Sequence, residues 1–162
     1  MQDRVQIVEA DLARADHQDA VVRLIDAYAR DPMGTGRPLP DSVRQGLIPA
    51  LRRHPTTLVF LAFVEQVPVG IAVCFLGMST FAARPLINIH DLAVLPEHRG
   101  QGTGRRLLEQ VIQKARELGC CKVTLEVRED NRRARRLYET MGFAAPEHVN
   151  GAVPTFFLAK ML

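Results

Sequence analysis

The hydrophobic positions of this chain change period several times, and each change marks an element. Val5, Ile7 and Val8 predict a short first strand. From residue 17 to 29, Val21, Leu24, Ile25 and Tyr28 recur at helical spacing, with Asp16 placed to cap the helix. The segment Asp31-Pro32-Met33-Gly34-Thr35-Gly36-Arg37-Pro38 is a breaker-rich loop. A second helix is predicted over 42–53, with Pro49 shortening or bending it. The apolar region 58–78 is long enough to test as a membrane span. Glu65, Gln66 and Pro68 interrupt it and Gly70 follows, so it reads as a hairpin, 57–64 and 69–79. A strand over 86–94 comes next. A helix over 104–118 then carries Leu107, Leu108, Val111, Ile112, Ala115 and Leu118 on one stripe, and Gly119 ends it. Residues 122–127 alternate as a strand. Residues 131–141 form a short helix stopped by Gly142, and 143–145 and 155–159 are terminal strands. Phe60, Phe63, Phe75 and Phe81 are assigned to the core. The three middle strands can pair antiparallel through short turns. The strand-helix-strand crossover from Leu86 to Val127 demands a parallel pair. The order therefore predicts an α/β fold: a mixed sheet with helices on both faces.

A length of 162 residues suits one domain with a core of its own. The net charge of +3 is mild and comes from arginines clustered at 99–106 and 128–136, not from a tail. Such a patch fits a small polyanionic ligand at least as well as nucleic acid. A nucleic-acid interface on the helix of Arg132, Arg133, Arg135 and Arg136 is disfavoured: it has no partner helix in a helix-turn-helix order and no interleaved aromatics. The first residues lack a basic region followed by an apolar one, so no secretory signal is expected and the cytoplasm is the expected location. Cys74, Cys120 and Cys121 have no second Cys or His pair at ligand spacing, so neither a disulfide framework nor a metal site is expected. No His or Asp is placed to activate Cys120 or Cys121, which read as buried small hydrophobes.

The most informative stretch is Arg99-Gly100-Gln101-Gly102-Thr103-Gly104, between a strand and an amphipathic helix. Glycine lets backbone approach a ligand closely. A helix start presents amide N–H groups and positive partial charge. Together they make a seat for a phosphate or pyrophosphate. A P-loop needs Lys and then Ser or Thr after its last glycine, and here Arg105 and Arg106 follow. A dinucleotide fingerprint needs another glycine spacing at the first strand-helix turn; Glu126 lies near the required acidic offset, but the glycines at 100, 102 and 104 do not match. Arg99-x-x-Gly102-x-Gly104, preceded by Leu92-Ala93-Val94-Leu95-Pro96-Glu97-His98, closely resembles the acetyl-CoA loop of the GNAT superfamily of N-acetyltransferases. A second block, Asn131-x-x-Ala134-x-x-Leu137-Tyr138-x-x-x-Gly142-Phe143, resembles that family's other signature, in the family's order and at its usual separation.

The resemblance implies a single-domain GNAT-like α/β (α+β) fold over 1–162, with a mixed central sheet of about six to seven strands and about four helices on both faces. It implies acetyl-CoA as cosubstrate and no metal. Backbone amides from Arg99 through Gly100, Gln101, Gly102 and Thr103 to Gly104 would hold the pyrophosphate. Backbone groups of the Leu92-Ala93-Val94 segment would pair with the pantetheine arm like an added strand, the Val94 amide also polarising the acetyl carbonyl. Asn131 would hydrogen-bond the pantetheine region, and Tyr138 matches the tyrosine that protonates the departing thiolate. Among the arginines of the last helix, Arg135 is a candidate for the cofactor's 3′-phosphate, the others reading as a solvated face. On a helical wheel Ala134, Leu137 and Met141 centre the buried stripe, with Asn131 and Tyr138 at its edge; a core-edge tyrosine is the plainer alternative for Tyr138.

The implied reaction is direct attack of a neutral primary amine on the thioester, which requires a base because an alkyl ammonium has a pKa of about 10. His90 and Asp91 are the candidates, histidine having the better intrinsic pKa, with water relays to Glu126 and purely structural parts also open. His98 is expected to be exposed beside the phosphates. The acceptor should lie between the first two helices, the 31–40 loop and the strands ending near His90. The segment from His54-Pro55 through Phe75, Arg84 and His90-Asp91-Leu92 resembles the diamine (spermidine/spermine) acetyltransferase branch, which carries Glu-Asp where this chain has His90-Asp91. Asp26, Asp31, Asp41 and Asp91 are candidates to attract a cationic acceptor. A small-molecule amine is the expected acceptor; an amino acid, a peptide N-terminus and an amine-bearing antibiotic stay open. So does a CoA-binding regulatory module without catalysis, against which Tyr138 argues. The resemblance also implies a homodimer.

Overall fold

The computed structural model describes residues 5–145, 153 and 158–162. The chain forms two compact units, residues 1–128 and 129–162. The first carries β1 (Gln6–Glu9), α1 (Ala15–Arg30), α2 (Asp41–Arg53), β2 (Thr57–Val64), β3 (Val67–Ser79), β4 (Arg84–Val94), α3 (Thr103–Glu117) and β5 (Val123–Leu125); the second carries α4 (Arg132–Thr140). The sheet runs β1-β2-β3-β4-β5, antiparallel except for the β4–β5 pair, which is parallel. This is the mixed α/β sheet that the crossover demands. It has five strands among the described residues, not six to seven. Residues 143–145 form no strand, and of the segment 155–159, residues 155–157 lie outside the described residues.

The two central strands are nearly continuous apolar runs because both their faces are covered. On one face, Ala20, Val21 and Leu24 of α1 and Ile48 and Leu51 of α2 pack with Val59, Leu61, Ile71 and Val73. On the other lies α3. A Cβ at Gly70 would stand 3.2 Å from Leu107 Cδ1 and 3.4 Å from Thr103 Cγ2, so the glycine sets how closely α3 approaches β3. Leu107, Leu108 and Val111 are wholly buried there, each side chain contributing about 1.5–3 kcal/mol. Leu118, at the end of the predicted stripe, is instead exposed, because α3 stops at Glu117.

Pro49 does not shorten α2, which runs on to Arg53. It forgoes one intrahelical hydrogen bond, and the burial of Ile48 and Leu51 on either side of it offsets that loss. Asp16 does not cap α1. Arg14 is the N-cap, without a side-chain cap bond, and Asp16 sits inside the first turn, where its charge suits the helix dipole. The turn between β2 and β3 places Glu65 and Gln66 at φ 47° and 68°, the left-handed geometry whose twist matches a two-residue hairpin. Phe81 is not in the core. β3 and β4 extend to Ser79 and Arg84, so Phe81 sits on the hairpin tip beyond the sheet and is fully exposed. Phe60 is wholly buried, with Phe63 and Phe75 half-buried. Among the described residues no helix is long and apolar enough to cross a membrane.

Candidate functional site

The site is built where β4 loses its outer neighbour. β4 pairs with β5 only through Ile87, Ile89 and the residue between them, opposite Val123 to Leu125. On its inner side it stays paired with β3 as far as Val94, opposite Gly70. Between these regions the β3–β4 register slips: Val73 faces Asp91 while Cys74 faces Ile89, leaving His90 as the extra residue of a bulge. A bulge bends its strand and ends regular pairing. This is why β5 stops at Leu125 although the alternating pattern predicts a strand to Val127. Beyond the bulge, the outer edge of β4 has no strand beside it among the described residues. Leu95 N–H donates to Val69 O at 2.9 Å, so Leu95 faces β3. Alternation then turns the N–H groups of Val94 and Leu92 to the open edge, those of Ala93 to β3.

The chain next passes through a turn of 3₁₀ helix, Pro96–His98, into the glycine loop. Gly100 and Gly102 take φ 77° and 86°, and Gly102 is the N-cap of α3, its carbonyl accepting from Arg106 N–H at 3.0 Å. A Cβ at Gly102 would meet nothing within 4 Å. The loop thus presents backbone to open space at a helix start, the geometry of an anion seat. Thr103 is buried under it against Gly70, and Gln101 bonds back to Glu97 O at 3.2 Å. Arg99 does not reach outward. Its Nε donates to Val94 O at 2.8 Å and a terminal nitrogen to Asp31 at 2.7 Å, so two of its three guanidinium nitrogens are engaged within the protein. His98 is half-buried, not exposed.

The bulge also sets two side chains at the head of this edge. His90 is exposed, its ring edge-on to Phe75 at 5.7 Å, and His54 packs on the same phenyl at 4.6 Å. Asp91 is half-buried. Burial pushes its carboxyl above the ordinary range, the neighbouring His90 pulling the other way. Tyr28 joins this group. Burial raises its phenol, with Asp91 and Asp31 adding to the effect, and it lines a small cleft with Val94 and Arg99. In the sequence Tyr28 is only one member of a helix stripe, and nothing local sets it apart.

The four acids do not converge. Asp26 is held below the usual carboxylate range chiefly by Arg30, against the opposing effect of burial and with help from the Leu39 amide and Arg44. Asp31 is engaged by Arg99. Asp41 is exposed in the first turn of α2. Only Asp91 stands at the bulge. A separate groove of about 700 Å³ between α1 and α2 is lined by Gln18, Asp19, Gln45, Pro49, Arg52 and Arg53, among others, and takes in neither His90 nor Asp91. The cysteines are not poised as nucleophiles. Burial pushes the Cys74 thiol up to about 12 with Asp91 adding to it. Cys120 is raised by burial and by Cys121; both are half-buried, not fully buried.

In the second unit, α4 begins one residue later than the pattern predicts. Asn131 is its N-cap, its Oδ1 accepting from Ala134 N–H at 3.2 Å. Tyr138 is the buried residue of this helix, with Ala134, Leu137 and Met141 only half-buried. Its ring lies 5.9 Å from that of Phe143. Arg132, Arg133, Arg135 and Arg136 are all exposed, as a solvated face should be, and Arg135 also donates to Glu129 O at 3.2 Å.

The family model described as acetyltransferase (GNAT) family matches residues 21–143. The thialysine N-epsilon-acetyltransferase of Bos taurus is 36% identical over 74 residues, 46% of this chain and 43% of that protein. The ribosomal protein bS18-alanine N-acetyltransferase of Escherichia coli is 37% identical over 70 residues, 41% of this chain and 47% of that protein. The matches therefore span less than half the length of either relative. Among solved structures, a probable acetyltransferase superposes with a TM-score of 0.80 at 24% identity, covering 96% of this chain and 98% of that one.

Proposed function

The chain belongs to the GNAT acetyltransferase family, and we propose that it transfers the acetyl group of acetyl-CoA to a primary amine of a small molecule by direct attack, without a covalent enzyme intermediate. The observation that carries this reading is the open edge of β4 leading, through the 3₁₀ turn Pro96–His98, into the glycine loop at the head of α3. One end offers strand-like N–H groups to a pantetheine arm; the other offers an anion seat to a pyrophosphate. Acetyl-CoA supplies an activated acyl group as its thioester. Leu92 and Val94 hold the arm, with the Val94 N–H also directed at the carbonyl oxygen that gains charge during attack. The backbone from Gly100 to Gly104 holds the phosphates. Asn131 and Arg135 assist in binding, Tyr138 returns a proton to the leaving thiolate, and residues 1–162 act as one N-acetyltransferase domain. That a relative acts on thialysine supports a small amine as acceptor.

Asp91 is the better base of the two candidates. A carboxyl raised by burial is a stronger base than an ordinary one, while the exposed His90 ring is packed on Phe75. A base works only when deprotonated, so activity is lost as the pH falls through the raised pKa of Asp91. Asp91→Asn should remove that acidic limb from the profile of kcat/KM against pH. It should lower kcat/KM about tenfold at neutral pH, less than the full effect of a general base because His90 adjoins it. A limb that survives in Asp91→Asn but vanishes in His90→Gln would give the role to His90.

The direct test pairs thermal unfolding, with and without acetyl-CoA, with thiol release against a panel of diamines, amino acids, aminoglycosides and short peptides. A native-state ligand raises the melting temperature. Stabilisation with release driven by a small amine is the expected result. Release with peptides alone would move the acceptor to a peptide or protein amine, in line with the name of the Escherichia coli relative, a ribosomal protein bS18-alanine N-acetyltransferase. Stabilisation without release across the panel would favour a CoA-binding module. No stabilisation at saturating acetyl-CoA would refute the reading.

A further inference from the structure

Asp31 breaks a local rule. It is the C-cap of α1, where the helix dipole disfavours negative charge, and its side chain is only 10% exposed. A conflict of this kind survives in a folded protein when something else holds the residue, and often marks a functional position. Its two oxygens are both used. Oδ1 accepts from Met33 N–H at 2.8 Å, inside the loop that follows α1. Oδ2 accepts from Arg99 at 2.7 Å, 68 positions along the chain. Burial alone would raise this carboxyl, yet the Arg99 and Met33 bonds together hold it below the usual range.

Arg99 carries the connection onward. Its Nε holds the outward carbonyl of Val94, on the same open edge as the Val94 N–H. The loop at the other end is packed tightly onto α1. Gly34 N–H donates to Asp31 O, Thr35 and Arg37 N–H groups both donate to Ala29 O, and a Cβ at Gly34 would overlap the Tyr28 carbonyl. The Asp31 carboxylate is thus the side-chain link between this loop and Arg99.

We propose that Asp31 is a positioning residue that couples the 31–37 loop, through Arg99, to the ligand edge at Val94, so that filling that edge tightens the loop on the acceptor side. This rests on the reading of that edge as the acetyl-CoA seat. Asp31 touches neither substrate. It makes the binding of the two substrates interdependent, and that interdependence is reciprocal.

The test is residue-resolved amide exchange on the full chain, with and without acetyl-CoA, together with the acetyl-CoA affinity. Asp31→Asn is the informative change: its side-chain oxygen can still accept from Met33 N–H, while the charge facing Arg99 is gone. In the unaltered protein, acetyl-CoA should slow exchange at Gly34, Thr35 and Arg37 about fivefold or more. In Asp31→Asn the affinity should fall about five- to fiftyfold. At saturating acetyl-CoA the loop protection should be absent while β2 and β3 keep theirs. Asp31→Asn combined with Arg99→Lys should cost no more affinity than the worse single change. Additive losses, or undiminished loop protection in Asp31→Asn, would overturn the coupling. Protection lost equally across β2 and β3 would also overturn it, leaving Asp31 a purely structural part. Failure of acetyl-CoA to bind the unaltered protein would instead overturn the reading of the seat.

Discussion

Replacing Tyr138 by phenylalanine should lower turnover about a hundredfold or more, the low end of what a positioned general acid contributes. The shift in melting temperature produced by acetyl-CoA should stay close to that of the unaltered protein. The two readouts separate because the substitution removes one atom. Tyr138 is buried on α4 with its ring against Phe143, and a phenyl group keeps that packing. The hydroxyl takes its hydrogen bonding with it, at a cost of about 1 kcal/mol to the fold. A departing thiolate needs a proton when the tetrahedral intermediate collapses, and no packing interaction can supply one. Steady-state thiol release at saturating acetyl-CoA reads the chemical step, and the melting shift reads the ligand. Turnover within about twofold of the unaltered protein would end the acid role and leave Tyr138 as a buried packing residue of α4.

What was legible in the sequence was what is determined locally. β2 falls on 57–64 as predicted because an unbroken apolar run between turn signals leaves little choice. α1 and α3 keep their predicted extents to within a residue or two because their apolar stripes are long. The glycine loop is legible for a different reason: Gly102 must adopt a left-handed φ, a demand that its residue type answers directly. The rest depends on partners far along the chain. The β4 bulge at His90 exists only in register with β3, and it shortens β5 and sets His90 and Asp91 side by side. Asp26 and Asp31 read as acids free to draw in a cation, until Arg30 and Arg44 are found on one and Arg99 on the other. Phe81 reads as core because aromatic residues in strand-rich segments are commonly buried, and nothing in its neighbours marks the point where the hairpin outruns the sheet. A helical wheel likewise gives the angle of Tyr138 and not its depth, so its burial was not legible there.

Gly102→Ala should lower acetyl-CoA affinity about a hundredfold, and Gly119→Ala shows why strain is not the cause. Both glycines flank α3, at φ 86° and 67°, and a Cβ at either would meet nothing within 4 Å. An alanine forced into that region costs about 1–2 kcal/mol at either position. The two variants should therefore lose similar thermal stability without ligand. They differ in what occupies the open space. At Gly102 the space is the mouth of the amide seat, so a methyl group there holds the phosphates away from the loop. The strain is present with and without ligand, whereas two hydrogen bonds to a charged oxygen, at the low end of about 1.5 kcal/mol each, set the scale of a roughly hundredfold affinity loss. At Gly119 the space is solvent beyond the C-terminal end of α3, where Arg84 holds the carbonyl, and acetyl-CoA affinity should be unchanged. Titration calorimetry on both variants reads the difference. Equal affinities for the two would mean that no ligand phosphate rests on Gly102, and the seat at the head of α3 would have to be abandoned.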